Sequence, residues 1–274
     1  MESPAMYGRP RAGVCMMKNF IRRLFGRFYL VSHSDVLSYK GSWRKGAFHG
    51  YGVLEYSNGG LYKGNFKSGV KHGFGVYTSA SGFRYEGEWS YSEQTGSAKI
   101  SYKNGDWYEG AVKNGVRCGL GELSELSSQR IFKGNWQNGS LVGDIQIISS
   151  DWKYSGTIPD HHGCASGSLT YSDGSVYVGK LTAYTRNGKG TYFSASGSQI
   201  EGEWSNDMNV DQATATDGEG IKWFGTFKNL KPQGFMKVRL PNGQKYDGVW
   251  TDGQMQRAFS VRNRRNSETV YRFY

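Results

Sequence analysis

Ten glycines, at positions 41, 64, 87, 110, 134, 156, 179, 202, 225 and 248, follow one another at intervals of 23 residues, with one step of 24 compensated by one of 22. Each is the centre of an aromatic or apolar pair: Tyr39-Gly41-Trp43, Tyr62-Gly64-Phe66, Tyr85-Gly87-Trp89, Tyr108-Gly110-Val112, Phe132-Gly134-Trp136, Tyr154-Gly156-Ile158, Tyr177-Gly179-Leu181, Ile200-Gly202-Trp204, Trp223-Gly225-Phe227 and Tyr246-Gly248-Trp250. A register held over ten units marks an array of stacked repeats, and it overrides any domain count taken from the length of 274 residues. With about four glycines per unit, no helical period survives. Collagen is excluded as well, because the 40 glycines do not recur every third residue and only 5 prolines accompany them.

Two further landmarks keep the same register. Nine residues after the central glycine comes a Gly-x-Gly, clearest in His49-Gly50-Tyr51-Gly52, His72-Gly73-Phe74-Gly75 and Cys118-Gly119-Leu120-Gly121. Dipeptides such as Asn58-Gly59, Asn104-Gly105 and Asn242-Gly243 close the units, and these are preferred in tight hairpin turns where both central residues take positive φ. Each unit therefore reads as strand, turn, strand, turn. Side chains alternate across a strand, so Tyr39, Gly41 and Trp43 share one face while Lys40 and Ser42 point the other way. On the second strand Gly50, Gly52, Leu54 and Tyr56 share a face, so glycines there can receive rings from a neighbouring strand. A single unit buries too little to offset its ordering entropy, and stacking is required. The expectation is an all-β fold: an elongated, single-layer, twisted antiparallel sheet of about ten hairpin repeats over residues 39–253, between basic segments at 1–38 and 254–274.

The combination Tyr-x-Gly-x-Trp, His-Gly-x-Gly and Asn/Asp-Gly on a 23-residue period resembles the MORN (membrane occupation and recognition nexus) repeat family. The fifth and sixth units depart most from the pattern, keeping only part of the second landmark in Leu141-Val142-Gly143-Asp144 and Gly163-Cys164-Ala165-Ser166-Gly167. The third has Thr95-Gly96-Ser97-Ala98, and the eighth replaces both glycines with Asp211 and Ala213. The resemblance implies a non-enzymatic, elongated scaffold that binds a partner peptide or helix along the sheet, in the cytoplasm, at membranes or at the cytoskeleton. Phosphoinositide binding is also ascribed to that family. On this reading Trp43, Phe66, Trp89, Trp136, Trp204 and Trp250 form an aromatic stripe that lines the partner-binding groove; the competing reading is that packing within the array consumes those rings.

Charge separates from glycine along the chain. Of the net +11, residues 39–253 contribute only +3, whereas 1–38 and 254–274 contribute +4 each. A nearly balanced repeat body lacks an electrostatic track for a phosphate backbone, which makes nucleic acid a poor partner. In the N-terminal flank, residues 16–29 place apolar side chains at helical spacing. Phe20, Leu24, Phe25 and Phe28 lie on one side and Lys18, Arg22, Arg23 and Arg27 largely on the other. Such a helix suits an anionic phospholipid surface, which makes a peripheral membrane adaptor the main alternative; capping of the sheet end and a transit peptide are the others. Thr269 to Tyr274 alternates like a closing strand, and Arg264-Arg265-Asn266-Ser267 resembles a basophilic kinase site. Regulation of a separate enzyme and pairing of two copies also remain open.

Reactive constellations are few. His49 and His72 occupy the same repeat position and read as framework, and Glu86/Glu88 and Glu201/Glu203 flank repeat glycines on the outward face. His161-His162-Gly163-Cys164 offers metal-ligand chemistry, but neighbouring strand residues point apart and one cysteine does not complete a site. No phosphate-binding GxxxxGK[ST] loop occurs. Neither a catalytic residue nor a cofactor or metal is expected.

Overall fold

The computed structural model describes residues 35–159, 162–262 and 268–269. Within them the chain is all-β, and no α-helix is present among the described residues. The first four repeats are hairpins of β1 (Val36–Arg44) with β2 (Ala47–Tyr56), β3 (Leu61–Lys67) with β4 (Val70–Thr78), β5 (Arg84–Ser90) with β6 (Glu93–Ser101), and β7 (Trp107–Lys113) with β8 (Val116–Glu125). The next six begin with β9 (Arg130–Gln137), β10 (Ser140–Ile148), β11 (Trp152–Thr157), β12 (Cys164–Tyr171), β13 (Val176–Thr182) and β14 (Thr185–Phe193). They continue through β15 (Gln199–Ser205), β16 (Asn209–Thr216), β17 (Lys222–Lys228), β18 (Lys231–Arg239), β19 (Lys245–Thr251) and β20 (Gln254–Arg262), with a two-residue β21 (Glu268–Thr269) beyond. The tenth hairpin thus runs to Arg262, past the boundary read at residue 253. Of the expected closing strand, residues 270–274 lie outside the described residues, as do the amphipathic segment 16–29 and Arg264 to Ser267.

The chain divides into two compact units. One comprises the chain through Ser128 together with Trp136–Ser140, and the other Gln129–Asn135 with Leu141 onward. In the first, strands β1 to β8 pair antiparallel in chain order, and in the second so do β10 to β21. Central glycines face glycines across the hairpins of the first, second and fourth repeats: Gly41 opposite Gly52, Gly64 opposite Gly75, Gly110 opposite Gly121.

Turn chemistry differs from the sequence expectation. The two-residue turns with positive φ at both positions sit inside every repeat but the sixth, as at Lys45-Gly46 (48° and 74°) and Asn114-Gly115 (51° and 75°). That is the geometry whose twist matches paired strands. The closing dipeptides form a different loop. There only the glycine takes positive φ, and the preceding Asn58 side chain accepts the Gly60 N–H at 3.0 Å, an Asx turn repeated by Asn104, Asp173 and Asn242.

Paired glycines are required by what lies on them. The Tyr62 ring folds back flat over Gly64 and Gly75, and its hydroxyl donates to the Asn65 carbonyl three residues on, at 3.1 Å. A Cβ on Gly75 would overlap that hydroxyl. Tyr39, Tyr85, Tyr108, Tyr154 and Tyr177 donate in the same way to the carbonyl three residues later. All six are buried. Within each unit these tyrosines are therefore pressed onto the sheet itself as the lowest layer of its core.

Candidate functional site

In three repeats the tyrosine is roofed by the same two groups. Trp89 meets Tyr62 edge to face at a centroid distance of 5.3 Å, Trp136 meets Tyr108 at 5.5 Å, and Trp204 meets Tyr177 at 5.4 Å. Each tryptophan comes from the following repeat, and its indole N–H donates to a carbonyl of the preceding one: Trp89 to Gly75, Trp136 to Gly121, Trp204 to Gly190, at 2.9–3.1 Å. Over each indole lies a cation. Lys71 Nζ stands 4.2 Å from the Trp89 ring centroid, the Arg117 guanidinium 4.3 Å from Trp136 and the Arg186 guanidinium 4.6 Å from Trp204. Cation, indole and phenol thus stack on a glycine pair, an arrangement favoured by the negative faces of the rings.

The three cations differ in what else they reach. Arg117 donates to the Gly139 carbonyl at 2.9 Å. Arg186 forms an ion pair with Asp207, its Nε 3.0 Å from Oδ1, and also donates to the Asp207 carbonyl. Lys71 is ringed by Tyr56, Tyr62, Tyr77 and Trp89, all within 6 Å, and no carboxylate among the described residues pairs with it. Burial pushes its amine down to about 8. Burial likewise raises the phenols beneath, Tyr108 to about 12 and Tyr62 and Tyr177 further, so all stay protonated donors.

The expected aromatic stripe is therefore largely spent inside the array. Phe66, Trp89, Trp136, Trp204 and Trp250 are buried, and only Trp43, at the start of the array, is open, at 48 % exposed. Their burial follows from geometry: Phe66, Trp89, Trp136 and Trp204 each stand over the tyrosine of the preceding repeat, and Trp250 stands over Trp223. Of the lipid-facing candidates, Lys18, Phe20, Arg22, Arg23, Leu24, Phe25, Arg27 and Phe28 all lie outside the described residues. Sequence reasoning missed the cations. They sit seven residues after central glycines 64, 110 and 179, and in each case the next unit carries tryptophan two residues after its own central glycine, a correlation the repeat register makes readable.

The opposite face is bare. Tyr51, Phe74 and Leu120 occupy the same repeat position, between the two glycines of the second landmark, and are 62 %, 54 % and 78 % exposed. Tyr51 and Phe74 border a groove of about 390 Å³ whose walls include Lys63, Val76 and Arg84. Among the described residues, no group of three His, Cys, Asp or Glu side chains could hold a metal. No described helix is long and apolar enough to cross a membrane.

The MORN repeat model matches residues 39–61, 62–84, 85–107, 108–124 and 177–199. This chain carries MORN repeats. Four of the five matches run through the first unit without a gap, and the fifth covers the seventh repeat, which has the full tyrosine, glycine-pair and arginine stack. No curated protein matches the chain. Similar solved structures include the G-box domain of the microcephaly protein CPAP, 12% identical over 67% of this chain and 97% of that one with a TM-score of 0.41. The TCP10 domain of Danio rerio CPAP is 12% identical over 71% and 97%, with a TM-score of 0.40. The TCP domain of Drosophila melanogaster SAS-4, solved with a proline-rich motif of Ana2, is 14% identical over 65% and 90%, with a TM-score of 0.37. At these scores the likeness carries no argument about this chain's partner.

Proposed function

We propose that the MORN array is a non-enzymatic scaffold that docks a partner protein segment on its bare face, across Tyr51, Phe74 and Leu120. The observation that supports this is the exposure of three large apolar side chains in one row beside a groove, on a sheet whose other face is already covered by its own rings. Exposed apolar patches of this kind mark interaction surfaces. The row also has a length scale. Successive repeats are two strands apart, about 9.6 Å, and a helix places residues seven apart about 10.5 Å along its axis. An amphipathic helix laid across the strands would set apolar side chains over Tyr51 and Phe74 seven residues apart. A third, three such steps from the first, would reach Leu120, and the intervening step falls on Ser97.

The test is a comparative pull-down with the full chain and a Tyr51→Lys, Phe74→Lys, Leu120→Lys variant. These positions are exposed, so the variant should melt at the parent temperature and lose a partner that the parent retains. An unchanged set of captured proteins overturns the reading. Sedimentation of the parent alone separates an external partner from a second copy of the chain. The membrane-adaptor reading of residues 16–29 rests on their sequence pattern. Equal flotation on anionic vesicles of the full chain and a chain lacking residues 1–38 would remove it.

A further inference from the structure

The repeat register allows one cation to be compared with another in the same slot. Asp207 lies twenty-one residues after Arg186, in the turn of the following repeat. Its N–H donates to the Arg186 carbonyl at 3.1 Å, its Oδ1 accepts the Arg186 backbone N–H at 2.6 Å, and the same oxygen pairs with the guanidinium. Ser92 lies twenty-one residues after Lys71. Its N–H donates to the Lys71 carbonyl at 3.0 Å and its Oγ accepts the Lys71 backbone N–H at 3.1 Å. The backbone frame is the same in both places, and the turn residues have the same handedness, with φ of 62° at Asp207 and 68° at Ser92. The carboxylate alone is missing.

What stands in its place is an open groove of about 340 Å³, walled by Lys71, Trp89, Ser92, Gln94 and Asn114. We propose that this groove is a binding subsite for a carboxylate, an aspartate or glutamate side chain of a partner protein, which occupies against Lys71 the place that Asp207 takes against Arg186. Charge complementarity carries the assignment. An ammonium held among four rings without an anion is incompletely compensated, and a carboxylate seated in the groove would pair with it directly. The walls add neutral amide donors, from Gln94 and Asn114, suited to a second carboxylate oxygen. Glu93 lies at the same rim, exposed, and makes no ion pair with Lys71. The subsite lies on the ring-covered face and does not depend on the row of Tyr51, Phe74 and Leu120.

The test uses the full chain with ¹³Cε- and ¹⁵Nζ-labelled lysines, the Lys71 signal being assigned by its loss in Lys71→Met. Hexaglutamate peptide should shift that signal saturably, and hexaglutamine should not. In Ser92→Asp the protein's own carboxylate fills the place, so the apparent Kd should rise at least tenfold while the melting temperature stays level or rises. Should that variant fold poorly, Glu93→Gln provides the second reading: removal of a rim charge from an exposed position should tighten binding at least twofold. The proposal is overturned by a Lys71 signal that ignores hexaglutamate or answers hexaglutamine equally. It is also overturned by a Kd unchanged in a folded Ser92→Asp variant, or by Glu93→Gln binding no tighter. Inorganic phosphate that shifts Lys71 as strongly as hexaglutamate at equal ionic strength overturns the carboxylate assignment in favour of a general anion site.

Discussion

The first, second and fourth repeats and the eighth and ninth fill the same space by opposite means. In the first, second and fourth, a tyrosine from the first strand folds onto a bare glycine pair, and the second strand contributes no side chain there. In the eighth and ninth, the second strand supplies the filling. Ala213 lies against Gly202 and Met236 over Gly225, whereas in the tenth Ala258 pairs with Gly248 and the Trp250 ring of the first strand covers that glycine. All four are buried, and Met236 is completely so. The tyrosine is correspondingly replaced by Ile200 or Trp223, or, at Tyr246, turns its hydroxyl toward Gln244 at 3.4 Å instead of toward a carbonyl three residues on. The third repeat is intermediate, with Ala98 opposite Gly87 and Tyr85 still bonded to the Glu88 carbonyl. One hole can thus be filled from either strand, and the third repeat shares it between a tyrosine and a small alanine. The MORN model matches repeats whose tyrosine lies on the central glycine, throughout the first unit and again at the seventh repeat. The sixth, with Tyr154 over Gly156 and Gly167, shares the packing without the match.

Four variants and one condition would break or sharpen this contrast. The largest effect is expected from Met236→Ala, which empties a fully buried slot with no tyrosine available to fold in; thermal or denaturant melting should show a loss of about 2–5 kcal/mol. Next is Gly75→Val, which overfills the slot from the second strand while Tyr62 still occupies it, and should cost about 1–3 kcal/mol by the same measurement. A paired Gly75→Val, Tyr62→Ile variant imitates the eighth repeat and should recover part of that loss, whereas strict additivity would refute the idea of one hole and two ways to fill it. Smaller again is Tyr62→Phe, which keeps the ring and removes only the hydroxyl donated to Asn65, at about 1 kcal/mol.

The last prediction concerns pH. Burial holds Lys71 down at about 8 in the folded protein, against the ordinary value of 10.5. Between those values the unfolded chain binds the extra proton, so stability from this group rises with pH from 8 toward 10.5. Tyr56 and Tyr85 are raised to about 12, and their contribution runs the other way, being lost as pH climbs above 10. Denaturant titrations from pH 7 to 11 should show the rise before the fall, and Lys71→Met should remove the rise alone.

Much of this architecture was readable in the residues. The 23-residue register located every hairpin, because a strand cannot change phase without turning its apolar face outward. The identity of the tight turn was not readable, since Asn-Gly serves both as a two-residue hairpin turn and, at Asn58-Gly59, as the core of an Asx loop. Nor was the fate of the aromatic stripe. Alternation places Trp89 and Tyr85 on one face but says nothing about which ring lies flat and which stands over it. The tyrosine lies down because its hydroxyl finds a carbonyl three residues on. The tryptophan then stands across the repeat boundary, donating to Gly75. The basic residues at 71, 117 and 186 gain their place only from that roof, which gives each a ring to cover.

The sequence by itself determined the period, the strand order and the face on which each ring lies, because all three follow from local geometry repeated ten times. Tertiary structure decided which of those rings are left for a partner. Burial depends on contacts between successive repeats, where Trp89 covers Tyr62 and Lys71 covers Trp89, and no single repeat contains both members of such a contact. Whether Lys71 meets a carboxylate was settled in the same way, by Ser92 standing in the next repeat where Arg186 finds Asp207.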